Sequence, residues 1–300
     1  MITRSRISRL IFTTAINICL LLSIISCQSD PIDKKIDELI KVDRLRFNVI
    51  LVTMGADAVT AVTTEKGIVV IDAGISYTLT MKYRKVIERE FNRNDFAYVI
   101  HTHAHPDHYG GDGAFPGAVI IGQQNGIKEM TEYLKDPKMV QARLLKISET
   151  EDKKLASLAA GSDEWNRIFS TKARYQFAFH DMIEGKIVPK NTITFKDSLT
   201  LPMGDESVNL FYFGKAHSES DIFIHIPAAK LLMTGDLFFS GGTPSIRDEI
   251  RRDVEQWESA MQWVKSKAIE FVIGGHGDVM SKIDLESFDD YVGQRWEELK

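Results

Sequence analysis

Residues 99–113, VIHTHAHPDHYGGDG, hold four of the eight histidines of a 300-residue chain and two aspartates, and begin within the short apolar run FAYVI. An extended segment turns alternate side chains to the same side, so His103 and His105 can point together at one ion. Pro106 disfavours helix and turns the chain, after which Asp107 and His108 diverge toward a second ion. Two cations about 3.5–4 Å apart can share and deprotonate a water. Zinc is the ion that imidazole suits, with a carboxylate beside it.

One loop cannot complete two coordination spheres, so such a chain must fold in a way that brings further ligands to it. His217 follows VNLFYFGKA, Asp236 follows KLLMTG and His276 follows EFVIGG. Each lies where a strand pattern gives way to small residues, the place where open α/β sheets carry their sites.

The rest of the chain supplies that sheet. RFNVILVTM, DAVTAVTTEKG and IVVIDAG have the β-branched enrichment and turn residues of a strand meander. SYTLTMKYRKVIEREF has helical spacing, and GAVIIG is a further buried strand. Strands resume at NTITFKDSLTL, SVNLFYFGKAH, SDIFIHIP and AKLLMTGDLFF, with two helices, DVEQWESAMQWVKSKA and LESFDDYVGQRWEELK, near the end. Alternating strands and helices predict a layered α/β fold in one domain, about 45–300. Residues 127–184 are charged and helical in pattern, and read as an inserted segment that serves as a lid or substrate wall.

Within residues 1–26, MITRSRISRL carries three arginines and no acid, and is followed by IFTTAINICLLLSII and Ser26. That is the pattern of a secretory signal peptide, too short and wrongly flanked for a permanent span. Ile24-Ile25-Ser26-Cys27 resembles the lipobox of bacterial lipoproteins. By that resemblance Cys27 is lipidated and residues 27–44 are a tether. Gln28 in place of an aspartate favours the outer membrane, facing the periplasm or the cell surface. Cys19 lies inside the signal, so the mature domain has no cysteine for a disulfide, a thiolate ligand or a nucleophile. Loss of Arg4, Arg6 and Arg9 moves the formal charge from −5 to −8, which leaves no electrostatic footprint for nucleic acid.

Thr102-His103-Ala104-His105-Pro106-Asp107-His108 resembles the signature of the metallo-β-lactamase superfamily, and GKAHS, TGD and GGHGD are similar to its later motifs in the same order. IVVIDAG resembles the strand before the signature, with Asp72 supporting the site. The resemblance implies a four-layer αββα sandwich with two metals at the rim between the sheets. It assigns His103, His105 and His217 to the first ion, Asp107, His108 and His276 to the second, and Asp236 to both. Asp236 stands where one type of zinc β-lactamase has cysteine. Seven ligands with a bridging aspartate are the pattern of glyoxalase II-like hydrolases, lactonases and esterases.

The implied activity is hydrolysis of an ester, thioester or lactone in a small-molecule substrate. A bridging hydroxide would attack the carbonyl, with Asp107 holding the second metal and orienting the nucleophile. The two divalent ions are expected to be zinc, with iron or manganese as alternatives. A β-lactamase and a non-catalytic, metal-containing binding lipoprotein are the other readings. His101 is left out of the ligand set as a structural histidine. His180 and His225 lack motif context, and Trp257, Trp263 and Trp296 read as core. Tyr109, Lys215 and Ser218 are candidates for contact with substrate, and RDEIRRD reads as a solvated loop.

Overall fold

A computed structural model describes residues 31–240 and 251–299. The expected signal peptide, Cys19 and Cys27 lie outside the described residues. Among those described, no helix is long and apolar enough to cross a membrane. The chain divides into two compact units, residues 1–38 and 39–300. The described part of the first is helix α1 (Pro31–Leu39).

The first strand of the second unit is β1 (Lys41–Arg46), so α1 and the start of β1 both lie inside the stretch expected as a tether. β1 pairs antiparallel with β2 (Val49–Met54), β2 with β3 (Asp57–Thr64), and β3 with β4 (Gly67–Ile71). Parallel strands β5 (Phe96–Ile100), β6 (Val119–Gln123) and β7 (Ile193–Phe195) complete a seven-stranded sheet in sequence order. All five residues of β4, GIVVI, are buried, as a strand between two packed layers requires.

The second sheet has five strands: β8 (Ser198–Pro202), β9 (Ser207–Phe211), β10 (Phe223–Ile226), β11 (Leu231–Gly235) and β12 (Phe271–Gly274). Its spatial order runs from β12 back to β8, with only β11 and β12 parallel. The run NTITFKDSLTL, which reads as one strand region, spans two sheets. Ile193–Phe195 pairs in the first, Ser198–Pro202 pairs in the second, and Lys196-Asp197 crosses between them.

The sheets face each other through one apolar layer. Val69, Ile71 and Ile100 on one side meet Leu210, Ile224 and Met233 on the other. Each such side chain contributes about 1.5–3 kcal/mol when fully buried. Helix α2 (Tyr77–Phe91) covers the outer face of the first sheet at β2 and β3. Its first turn is capped by Ser76, whose hydroxyl accepts from Leu79 N at 3.1 Å. Trp257, Ala260 and Val264 of α7 (Arg251–Lys265) and Leu285, Phe288 and Val292 of α8 (Lys282–Leu299) cover the second sheet around Phe223, Leu232 and Val272. Two sheets between helical layers are the αββα sandwich that the resemblance implies.

The helix of the histidine loop differs from expectation. Pro106 does not break helix there; it opens a short one, α3 (Pro106–Tyr109), at the first position, where a missing N–H costs nothing. Further on come α4 (Gly126–Tyr133), α5 (Pro137–Leu155) and α6 (Asp163–Ile183), which account for most of residues 127–184. α5 and α6 pack on each other and α6 packs on α2. Asp181 fixes the last contact, accepting from Thr78 N at 2.7 Å and from Thr78 Oγ1 at 2.6 Å.

Candidate metal centre

Four strand ends deliver the seven residues singled out in the sequence. His103, His105, Asp107 and His108 follow β5, His217 follows β9, Asp236 follows β11 and His276 follows β12. They form two groups with converging donor atoms: His103, His105, His217 and Asp236, and beside them Asp107, His108 and His276. In the first, His105 Nδ1 lies 3.1 Å from His103 Nε2 and 3.0 Å from His217 Nε2. Ligands on a tetrahedral zinc at about 2.0–2.1 Å stand about 3.3 Å apart, so this spacing is close to that of a ligand set.

Asp236 belongs to both groups. Its Oδ2 is 3.5 Å from His217 Nε2, 3.9 Å from His103 Nε2 and 3.3 Å from His276 Nε2. Its Oδ1 is 3.4 Å from His108 Nε2, and Asp107 Oδ2 is 3.4 Å from His276 Nε2.

Neighbours fix which ring nitrogen is available. Thr102 Oγ1 donates to Asp72 Oδ2 at 2.9 Å, so at 3.2 Å it accepts from His103 Nδ1–H and leaves the Nε2 lone pair facing the site. His108 Nδ1 donates to Asp72 Oδ2 at 2.8 Å, and His276 Nδ1 donates to Ala56 O at 2.7 Å. Asp72 also accepts from Thr102 N at 2.8 Å. Its backbone is left-handed, φ 57°, a conformation that aspartate tolerates better than most residues.

Close approach demands glycine at two places. A Cβ on Gly275 would meet Asp236 Oδ1 at 2.0 Å, and one on Gly235, at φ +54°, would meet Thr102 Oγ1 at 2.9 Å. The small residues of TGD and GGHGD are therefore required by packing against the donor atoms.

The electrostatics separate the two groups. Burial pushes the imidazoles of His103 and His105 below the ordinary histidine range and takes His217 to about 4, so all three are neutral at neutral pH, the form that binds metal. For His108, burial is outweighed by the charges of Asp72 and Asp236, and for His276 by its hydrogen bond to the Asp236 carboxylate, which accepts; both are pushed up. Burial of Asp107 and Asp236 is in turn outweighed by His108, so both carboxyls are held below their ordinary range, Asp236 well below it. The imidazoles of the second group hold protons more firmly than those of the first, and a cation there would compete with them. His108 Nε2 and Asp236 Oδ1 are buried with no hydrogen-bond partner. Convergent neutral imidazoles, anionic carboxylates and these two unpartnered atoms fit divalent metal.

Several residues of the site carry no motif. Asp221 accepts from Ser218 N at 2.6 Å and Ala216 N at 3.3 Å, and so holds both neighbours of His217. Glu129 on α4 approaches His105 Nε2 at 4.0 Å and accepts from Ser220 Oγ at 2.9 Å. An acid four residues past GKAH is the one sequence signal for Asp221; Glu129 has none.

The secondary candidates divide. Tyr109 is fully buried against Ala104 and Met130 and does not line the cavity above the site. Ser218 Oγ is turned to Asp221 Oδ1 at 2.9 Å. Lys215 pairs with Glu219 beside a cleft that also includes His105. His101 is buried against Asp112 Oδ1 at 2.8 Å, outside both groups. His225 is in β10 against Trp263, and Trp257 is core. Most of RDEIRRD falls outside the described residues.

Above the site is a cavity of about 270 Å³, lined by His105, Asp107, His217 and Asp236 and by side chains of α5 and α6.

The family description "Metallo-beta-lactamase superfamily" matches residues 53–276. A metallo-beta-lactamase type 2 from Bacillus sp. (strain 170) is 25% identical over 221 residues, 73% of this chain and 66% of that protein. Another from Bacillus cereus is 24% identical over 72% of this chain and 65% of its own length. The matches thus span slightly less than two thirds of these relatives. Among solved structures, a metallo-beta-lactamase from Pontibacter korlensis aligns with TM-score 0.53 at 16% identity, over 85% of this chain and 99% of that one. The stereoselective inverting sec-alkylsulfatase Pisa1 from Pseudomonas sp. aligns with TM-score 0.61 at 11% identity, over 89% and 43%. With its two sheets, its clustered histidines and a match that covers most of its length, this chain belongs to the metallo-β-lactamase superfamily.

Proposed function

We propose that the protein is a metal-dependent hydrolase of esters, thioesters or lactones, with two divalent ions, zinc by donor chemistry, one held by His103, His105 and His217, the other by Asp107, His108 and His276, and Asp236 shared. The carrying observation is the position of Asp236, whose two oxygens lie 3.3–3.9 Å from imidazoles of both groups. When bound, such a pair of ions supplies an activated water and polarises the carbonyl it attacks.

The chain's own residues set the stage for that chemistry. Thr102, Asp72 and Ala56 O hold three imidazoles in the binding tautomer. Asp107 reaches between His108 and the open cavity, where it orients the attacking water. The apolar side chains of α5 and α6 exclude bulk solvent and strengthen every charge interaction at the floor.

The test is hydrolysis of a thioester, an aryl ester and a lactone by zinc-loaded protein with and without chelator. Chelator-sensitive turnover of at least one is expected; full metal loading without turnover of any would overturn the reading. The type 2 β-lactamases among the relatives motivate a second reading, cleavage of β-lactams, which nitrocefin in the same assay decides. Export and anchoring through Cys27 are part of the proposal and rest on the leader sequence; palmitate labelling that is lost in Cys27→Ala supports them, and labelling unchanged by it would not.

A further inference from the structure

The cavity has a floor and a wall of opposite chemistry. The floor is the metal-binding set, whereas the wall presents Val140 and Leu144 of α5 and Ala178 and Met182 of α6. Arg143 is the one cationic side chain among the described lining residues.

Its place on α5 is not that of an ordinary surface arginine. Positions 140, 143 and 144 share one helical face, so the guanidinium projects from the same stripe as the apolar wall. Three other cations of the two helices pair with acids of the same hairpin, Lys154 with Glu151 at 2.7 Å, Arg167 with Glu164 at 2.7 Å, and Lys172 with Asp152, whereas Lys138, Lys146, Lys153 and Arg174 lie outside the cavity lining. Arg143 makes no ion pair with any described residue, and its exposure places it at the cavity mouth. Tyr133 and Tyr175 line the space beside it. Tyr133 shares this lining with both Arg143 and Asp107, and its phenol, raised chiefly by burial, is pulled down by the first and pushed up by the second. With metal ions over the carboxylates of the floor, the cavity has positive charge at both ends and apolar surface between. Its volume of about 270 Å³ restricts it to a small molecule.

Resting on the hydrolase reading above, we propose that the substrate is a small amphiphilic anion. Its reacting carbonyl lies at the floor, a short apolar stem packs on Val140, Leu144, Ala178 and Met182, and a remote anionic group pairs with Arg143.

Calorimetric titration of the zinc-loaded full chain with straight-chain dicarboxylates, succinate through suberate, and with monocarboxylates of equal length tests this without turnover. Both series offer one carboxylate to the metals, and only the first offers a second to Arg143. At the matching length the dicarboxylate should bind about tenfold more tightly, the size of one charge-assisted contact. Arg143→Ala should remove that preference at unchanged zinc content, and Arg143→Lys should keep part of it. Equal affinities at every length, or a preference that survives Arg143→Ala, would overturn the proposal. A preference in a protein that hydrolyses no ester would leave the anion subsite standing and remove the hydrolase reading. Ester turnover without the preference would do the reverse.

Discussion

The rim loops and the helical wall face the same cavity but are built on different terms. At the rim, donor atoms are held by specific partners: the buried Asp72 fixes His108, the buried Asp221 fixes the loop of His217, and the carbonyl of exposed Ala56 fixes His276. Loss of either buried contact leaves a buried polar group unsatisfied. The wall uses apolar side chains that touch the cavity through dispersion and exclusion of water, where many residues of similar volume would serve. The difference teaches what the proposed function requires: a rim that sets the kind of chemistry and tolerates little change, and a wall that sets which molecule fits and can change with modest loss.

The comparison breaks most sharply if the rim proves tolerant. His103→Ala should lower bound zinc and take hydrolysis down by more than about 10³-fold while the fold persists, measured by elemental analysis and initial rates. Full activity at reduced metal content would contradict the assignment.

Where the two regions meet, a buried carboxylate tests their coupling. Asp57 accepts from Ile75 N at 3.0 Å, and burial pushes it up from 3.8 to about 6, opposed by the charge of Arg174 on α6. A raised carboxyl holds its proton in the folded state at pH values where the unfolded chain has released it. The stability this proton confers is complete below about pH 4 and is lost as pH rises toward about 6, by about 3 kcal/mol. Urea unfolding of Asp57→Asn should therefore lack that fall, gaining on the parent between about pH 4 and about pH 7. Parallel pH profiles of the two proteins would refute the shift.

A smaller effect is expected from the clamp behind His217. Asp221→Asn puts an amide against backbone donors, and metal affinity should drop about 10–100-fold with secondary structure unchanged. Competition with a zinc chelator measures it, and unaltered affinity would show that the loop holds itself.

The smallest effect belongs to the wall. Leu144→Ala should cost about 1–2 kcal/mol, at the low end for leucine because the side chain already borders open space. Zinc content should stay constant while KM rises several-fold. Loss of metal in this variant would erase the distinction between the regions.

What the sequence made legible follows the same division. Metal donors must be particular residue types at strand ends, and the requirement writes itself into short motifs: HTHAHPDH, GKAH, TGD and GGHGD. The strands around them show as β-branched runs because both faces of β4 and its neighbours are buried. Asp221, Glu129 and Asp57 left little or no mark, since each is a single acid whose partners lie elsewhere in the chain. Tyr109 shows the limit of adjacency. Once Pro106 starts a helical turn, successive side chains point about 100° apart, and Tyr109 turns to the core while Asp107 turns to the cavity. The helices of 127–184 were legible by period, but which of their faces lines a cavity depends on tertiary packing on α2, set by Asp181 and Thr78.

The most direct test is the number of metal ions held per chain. Zinc titration of metal-free protein, read by calorimetry and elemental analysis, should reach two ions per chain in the parent, with Asp236→Ala weakening both and His103→Ala leaving one. A parent chain that saturates at a single ion, or Asp236→Ala that loses only one of two, would contradict a shared aspartate between two metals.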